Sequence, residues 1–533
     1  MPRLTGAQAL AKLLAREGVG VVFGLPGEQI MHALDALYDL PAIRFVATRH
    51  EQGTTYLADG YARAGGREGV ALVVPGVGVT NAAAGLATAY ACSSPVLLLA
   101  GQVSRAGIGR DMELLHQLDD QLDLVRPMTK WAYRARTAAA IPGALHEAFR
   151  QLRSGRPRPV HVEFPPEALA EQAEIELPAS ARPEPEAPDP LLLAEAAREL
   201  LAAERPLLVA GGGAVLGDAS AELSALAEQL QAPVLTTREG KGAIDDRNPL
   251  SVGTLWVNRR LHPILHAADL ILAVGTRFQN LGAQPGQRVI QIDVDPEQLG
   301  KHFPLALGIA GDARLALRGL REELETALRL RPRASRAAEC RAARARVEEE
   351  LRKLGPQAAI VETLRDAIPE HAIVAAGTTT VGYMCHMHFR VYEPRSYLSS
   401  SYMGTLGFAF PVALGAKVAK PERPVVCVIG DGGFLFAASE LATALQYEIA
   451  TTTVVFDDGA YGNSNREQRE RFGGREIGTL LRNPDFAALA RSFGADGLRV
   501  QGPQDLGPAL REAIAGGRPS VIHCPIERLP SPF

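Results

Sequence analysis

Cysteine is scarce in this 533-residue chain. Its five residues, Cys92, Cys340, Cys385, Cys427 and Cys524, are scattered and odd in number, with no CxxC pair. That argues against a disulfide framework or a zinc cage and fits a reducing cytoplasm. Neither sign of charge dominates: the formal net charge is −4, which gives no electrostatic grounds for a nucleic-acid or anionic-membrane partner. The Arg-rich stretch at 341–346 is interspersed with Ala and followed by Glu, as on a solvated helix face. No apolar run approaches the roughly 18 residues of a membrane span. The first residues enter an amphipathic pattern directly, without the basic flank and apolar run of a signal peptide. The expected location is cytoplasmic.

Core-forming material is plentiful, with 47% hydrophobic and 22% charged residues. The length suggests three to four units of about 150 residues. Short apolar runs at 70–74, 206–210 and 425–429 each lead into a Gly-rich turn and a helical pattern. Continuous apolar strands alternating with helices indicate parallel sheets covered on both faces. Two stretches look like boundaries: the Pro/Glu/Ala-rich 183–190 and the charged, Ala-rich 331–349. The expected fold is α/β, with three doubly wound parallel-sheet domains at 1–180, 186–345 and 355–530. A shift of 355 positions superposes Leu86-Ala87-Thr88-Ala89 on Leu441-Ala442-Thr443-Ala444 without a gap, and also Gly60 on Gly415 and Val70 on Val425. If that repeat is a duplication, the first and third units share one plan. A cofactor could then place one end on each.

The most specific motif is Gly430-Asp431-Gly432-Gly433, then 434–456, then Asp457-Asp458-Gly459-Ala460-Tyr461-Gly462-Asn463. Glycines after a strand let the backbone approach an anion while helix N–H groups point at it. Asp431 is a hard oxygen ligand suited to Mg²⁺ or Ca²⁺, and the next strand returns Asp458 and a nearby carbonyl to the same sheet edge. Each triplet alone is an ordinary turn; their joint spacing is what carries the reading.

This pattern resembles the thiamine-diphosphate signature, GDG followed after about two dozen residues by an Asn-Asn pair. The resemblance implies a metal, Mg²⁺, held by Asp431, Asp458 and the Ala460 carbonyl. It places Gly430, Gly432, Gly433, Tyr461, Gly462 and Asn463 beside the diphosphate. The chain departs from the family in having Asp457-Asp458 where Asn-Asn is usual, which adds a negative charge. Thr48-Arg49-His50-Glu51-Gln52-Gly53 and the following Tyr56–Arg63 stretch are similar to the RHE segment of the pyruvate-oxidase and acetolactate-synthase superfamily, with Thr54 for an Ala. There the Glu bonds the cofactor's aminopyrimidine and promotes loss of the thiazolium C2 proton, a general-base relay. Glu51 is the implied activator.

The resemblance to the acetolactate-synthase branch covers nearly the whole chain. It implies that Leu406, in Gly404-Thr405-Leu406-Gly407-Phe408, wedges the cofactor into its bent shape, with the Gly404 carbonyl receiving its amino group. Gly27 lies in a family-like first-strand loop, and Gly377, Thr378 and Thr379 near the diphosphate. Gln117 stands where the family has an active-site glutamine. His116 is either a second catalytic group or a satisfied structural histidine. Two departures affect the acceptor region: Arg277-Phe278-Gln279-Asn280-Leu281 replaces RFDDR, and no tryptophan follows Asn463. Gly211-Gly212-Gly213 would suit FAD or an ADP moiety, although a glycine triplet alone is weak support.

The implied activity is decarboxylation of a small 2-oxo acid, with transfer of the acyl carbanion to a second carbonyl. A non-carboligating decarboxylase or carbon–carbon lyase is the alternative, and a catalytically idle cofactor-binding paralogue is the alternative of another class. Active sites at the interface of a homodimer or homotetramer are expected, with no nucleic-acid or membrane partner.

Overall fold

A computed structural model describes residues 2–531. Three six-stranded, all-parallel sheets are flanked by helices. In the N-terminal sheet the spatial order is Arg44–Ala47, Val21–Gly24, Gly69–Val73, Val96–Gly101, Val160–Phe164, Trp131–Arg134. In the C-terminal sheet it is Tyr397–Leu398, Ile373–Ala376, Val425–Gly430, Thr452–Asp457, Ser520–Pro525, Asp496–Arg499. Numbered along the chain, both read 2-1-3-4-6-5. The 355-residue offset therefore superposes the third strands and two identical topologies. The central sheet differs: Ser251–Thr254, Val234–Thr236, Pro206–Ala210, Leu270–Val274, Arg288–Asp293, Leu307–Ala310, the 3-2-1-4-5-6 order of a dinucleotide-binding sheet. The central strands of each sheet are buried runs of Val, Leu, Ile and Ala, as double coverage demands.

The two related units are joined by a backbone-to-backbone helix crossing. The Glu51–Gly65 helix starts at His50, whose ring nitrogen accepts the Gln52 N–H, and ends at Gly66 in the left-handed conformation. It packs against the Ala409–Ala419 helix. A Cβ on Gly60 would lie deep inside the Val412 carbonyl, and one on Gly415 inside the Leu57 carbonyl. Residues 57 and 412, like 60 and 415, are one offset apart, so the crossing is a pseudo-twofold contact within a single chain. Two glycines let the axes approach closely, and the apolar core continues through this contact from the N-terminal sheet into the C-terminal one.

A buried ion pair ties in the central unit. Arg63 bonds Asp59 at 2.9 Å and the Ser399 carbonyl at 2.9 Å. Ser399 in turn donates to Glu239 at 2.6 Å. One side chain from each unit thus meets at this junction. No helix among the described residues is long and apolar enough to cross a membrane.

The crossing predicts a sharp asymmetry between glycines. Gly60→Ala or Gly415→Ala should cost about 3 kcal/mol, because only movement of a backbone relieves the clash. Gly143→Ala, on an exposed helix turn with open space around it, should be neutral or stabilise by about 0.5–1 kcal/mol. Denaturant unfolding of the three variants measures both.

Candidate active site

The C-terminal ends of the strands carry two constellations. In the N-terminal unit, Glu51 is the first residue of its helix, only 6% exposed. Its carboxylate accepts a 3.0 Å bond from the Asn81 amide on the Val77–Ala91 helix. Thr54, the departure from Ala, donates to the Glu51 carbonyl at 2.6 Å, so the substitution adds a bond inside the helix and leaves the carboxylate free. Gly27 lies where the loop passes the end of a neighbouring strand; a Cβ there would strike Val74. His116 has φ 65°, and its carbonyl sits where a Cβ on Gly76 would be.

Gln117 is committed to its own loop. Its side chain accepts from Met112 and Leu114 N–H groups at 3.3 and 2.9 Å and donates to the carbonyls of Gly107 and Arg110. The buried amide that braces the site is instead Gln121. It accepts the Gly76 N–H at 2.8 Å and donates to Gly101 and Glu163 at 3.1 and 2.6 Å.

In the C-terminal unit, Gly377, Thr378 and Thr379 link the Ile373–Ala376 strand to the Thr380–His388 helix. Gly404 has φ 61°, and half-buried Leu406 follows it. A Cβ on Gly407 would meet Phe436 at 2.5 Å, which puts this segment beside the Asp431–Leu435 turn of helix. Gly430 precedes that turn, and Gly432 leaves room for the Tyr461 ring, 2.6 Å from where its Cβ would be. Gly462 plays the same part for the Asp458 carboxylate, 2.5 Å from its own missing Cβ. Gly433 packs on Ile429. Ala460 pairs with Leu480 across an isolated bridge, and Asn463 accepts from Arg466 at 2.8 Å.

Asp431 is 3% exposed. Burial, reinforced by the charges of Asp458 and Asp457, pushes its carboxyl well above the usual range. Burial raises Asp458 as well. Asp457 behaves oppositely. Burial opposes its charge, but bonds from His523 at 2.9 Å, Asn483 at 2.8 Å and the Gly459 N–H at 3.1 Å hold it low. The extra carboxylate is therefore fully engaged by donors. Asn483 also donates to Asp431 at 2.6 Å, so one amide spans both acids, and its own buried oxygen has no partner among the described residues.

A buried Asp431 and a half-buried Asp458, each facing a like charge in a glycine-lined cradle, fit a divalent cation. Asp431, Asp458 and the Ala460 carbonyl would hold it. No group of three or more His, Cys, Asp or Glu side chains among the described residues forms a metal cage. Phosphate oxygens of the cofactor and water would complete such a site.

Family models for the N-terminal, central and C-terminal domains of thiamine pyrophosphate enzymes match residues 4–124, 193–320 and 376–524. The chain belongs to the thiamine pyrophosphate enzyme family. It is a thiamine-diphosphate-dependent, acetolactate-synthase-like enzyme. A probable acetolactate synthase large subunit of Methanocaldococcus jannaschii is 35% identical, over 99% of this chain and 93% of that protein. A probable 2-ketoarginine decarboxylase of Pseudomonas aeruginosa is 37% identical over 96% and 92%. Isozyme 3 of the acetolactate synthase large subunit of Escherichia coli is 33% identical over 96% and 93%.

Sequence reasoning missed Asn81, Gln121 and Asn483. Their partners lie 20 to 52 residues away, and only their polar character in apolar surroundings could have marked them.

Two outcomes follow. A cation must displace protons from the raised carboxyls, so apparent Mg²⁺ affinity falls as pH drops below neutrality, by up to about tenfold per unit. Asn483→Ala, which removes the amide orienting Asp431, weakens Mg²⁺ by about 10- to 100-fold. Titration calorimetry of Mg²⁺ with thiamine diphosphate present, repeated across pH, reads both.

Proposed function

We propose that this enzyme decarboxylates a 2-oxo acid and transfers the acyl carbanion to a second carbonyl. Its units act as a pyrimidine-binding domain at 1–180, a central domain at 186–345 and a diphosphate- and Mg²⁺-binding domain at 355–530. The observation that carries this reading is Glu51, a buried acid at a helix start whose carboxylate accepts, among the described residues, a bond from Asn81, one offset from Leu406 in the half that bears Asp431. Thiamine diphosphate, when bound, supplies the electron sink that lets CO₂ leave. Glu51 holds a proton at the aminopyrimidine ring nitrogen, and Asn81 fixes the direction of that carboxylate. Gly377, Thr378, Thr379, Gly430, Gly432, Gly433, Tyr461, Gly462 and Asn463 would hold the diphosphate. Leu406 and Gly404 shape the cofactor, while Gln117 and His116 border the substrate from their loop.

Glu51 and Asp431 bond to separate partners, Asn81 and Asn483, and no hydrogen bond joins the two groups among the described residues. Leu115 in the loop of His116, Phe436 after the Asp431 helix turn and Tyr402 two residues before Gly404 are 60, 52 and 51% exposed. Apolar surface flanking both half-sites supports closure by a second copy, giving a homodimer or a homotetramer. The five buried free cysteines support work in the reducing cytoplasm.

The names of the Methanocaldococcus and Escherichia relatives favour the carboligase. The Pseudomonas relative's name and the lack of a tryptophan in 463–468 favour the simple decarboxylase as second reading. A cavity of about 750 Å³ runs from Gly212 and Gly213 past Arg156 and Asp293 to Thr378 and Gly404. Burial and the charges of Arg158 and Arg277 push the Arg156 guanidinium down, so an anionic nucleotide such as FAD or ADP suits this cavity. Absorbance near 450 nm in the purified protein tells the two apart.

Glu51→Gln should keep cofactor affinity and slow deuterium exchange at the cofactor's C2 by about 100-fold or more. Unchanged exchange contradicts the proposal. Incubation with pyruvate should give acetolactate; acetaldehyde alone establishes the second reading, and no consumption of any acid in a 2-oxo acid panel returns the idle paralogue.

A further inference from the structure

Glu440 lies outside the metal motif and the Glu51 segment, yet it physically connects them. It is 1% exposed, at the end of the short helical turn Ala438–Glu440 that follows the Asp431 segment. Its carboxylate reaches out of the C-terminal unit into the N-terminal one. One oxygen accepts the backbone N–H groups of Arg49 and His50, both at 3.1 Å, and the other accepts Arg49 N–H at 3.2 Å and the Thr443 hydroxyl at 2.6 Å. These are the two residues immediately before Glu51. Gly53, one turn into the helix, has no Cβ because Glu440 occupies that space, 2.5 Å away. Neighbours extend the clamp along the same loop: the Tyr447 hydroxyl accepts Ala47 N–H at 2.9 Å, and Gln446 accepts the Arg49 guanidinium at 2.7 Å.

A buried carboxylate is costly unless its acceptors are filled by donors. Here the donors, apart from the Thr443 hydroxyl, are main-chain groups of a loop from another unit. The bonds therefore fix the backbone from which the Glu51 side chain departs. We propose that Glu440 is a positioning residue for proton transfer: by clamping residues 49 and 50 it sets the direction of the Glu51 carboxylate without itself touching the cofactor. This rests on the reading of Glu51 as the activator. Misplacement by about an ångström at a reacting group costs about 100-fold in rate while leaving binding largely intact, so the proposal separates reactivity from affinity.

The test uses Glu440→Gln, which keeps the shape but turns an amide NH₂ toward backbone donors, and Gly53→Ala, which displaces the carboxylate from the opposite side. In the cofactor-free protein, amide hydrogen exchange in peptides covering 47–53 should rise about tenfold or more in both variants. In the loaded protein, C2 deuterium exchange should slow about tenfold or more, with thiamine diphosphate affinity within about threefold of the parent. Combining the two should add little, since both release one clamp. Glu51→Gln runs alongside. If it slows C2 exchange while Glu440→Gln and Gly53→Ala do not, the positioning role is overturned and the Glu51 reading stands. If Glu51→Gln leaves C2 exchange unchanged, that reading fails and this inference with it. Loss of cofactor affinity in step with C2 exchange would reduce Glu440 to a structural brace and overturn the proposal. Should Glu440→Gln not fold, Gly53→Ala decides between the same outcomes.

Discussion

The crossing of two helices at Gly60 and Gly415 governs everything else in this molecule. Neither glycine has a side chain because each faces a carbonyl of the other helix, at Val412 and Leu57. That contact fixes two similar sheets about a pseudo-twofold axis inside one chain, and the halves differ chemically. At equivalent offsets one half presents an acid, Glu51, and the other an apolar residue, Leu406. One half begins its helix after Gly76, the other after Gly430 with Asp431. Close packing at the axis makes the relative placement of these groups rigid, because interiors packed at this density shift only by breaking contacts.

Electrostatics then divides the labour among three neighbouring aspartates. Asp431 is raised by burial and by the charges of Asp458 and Asp457, and Asp458 by burial and by Asp457, so a cation relieves what the fold imposes. Asp457 stands where the family usually has Asn, and its charge adds to that repulsion. His523, on the neighbouring strand, and Asn483 engage it. The departure from the family pattern is thus accommodated by side chains far away in sequence.

Much of this architecture is legible in the order of the amino acids. A gapless offset of 355 residues exposes the related halves, and Gly430–Gly433 with Asp457–Asn463 exposes the glycine-lined, acidic sheet edge, because local glycine turns and strand ends are encoded where they occur. The 2-1-3-4-6-5 strand order shared by the outer sheets, and the different order of the middle one, depend on crossovers that no local pattern records. Gln117 resembles an active-site amide in its spacing, yet its loop consumes its hydrogen-bonding capacity. Glu440 is invisible in the sequence for the opposite reason. Its donors lie 390 and 391 residues away, and a glutamate near a helix start is commonplace.

The central claim is that Glu51 of one chain activates the cofactor whose diphosphate would be tethered, through a cation, by Asp431 of another. Co-expression of Glu51→Gln and Asp431→Ala chains, each inactive alone, tests it directly. If sites form across subunits, half of randomly paired dimers carry one intact site, and about a quarter of the parent activity returns. If each chain builds its own site, no pairing contains an intact one; hybrids as inactive as either parent variant would contradict the account.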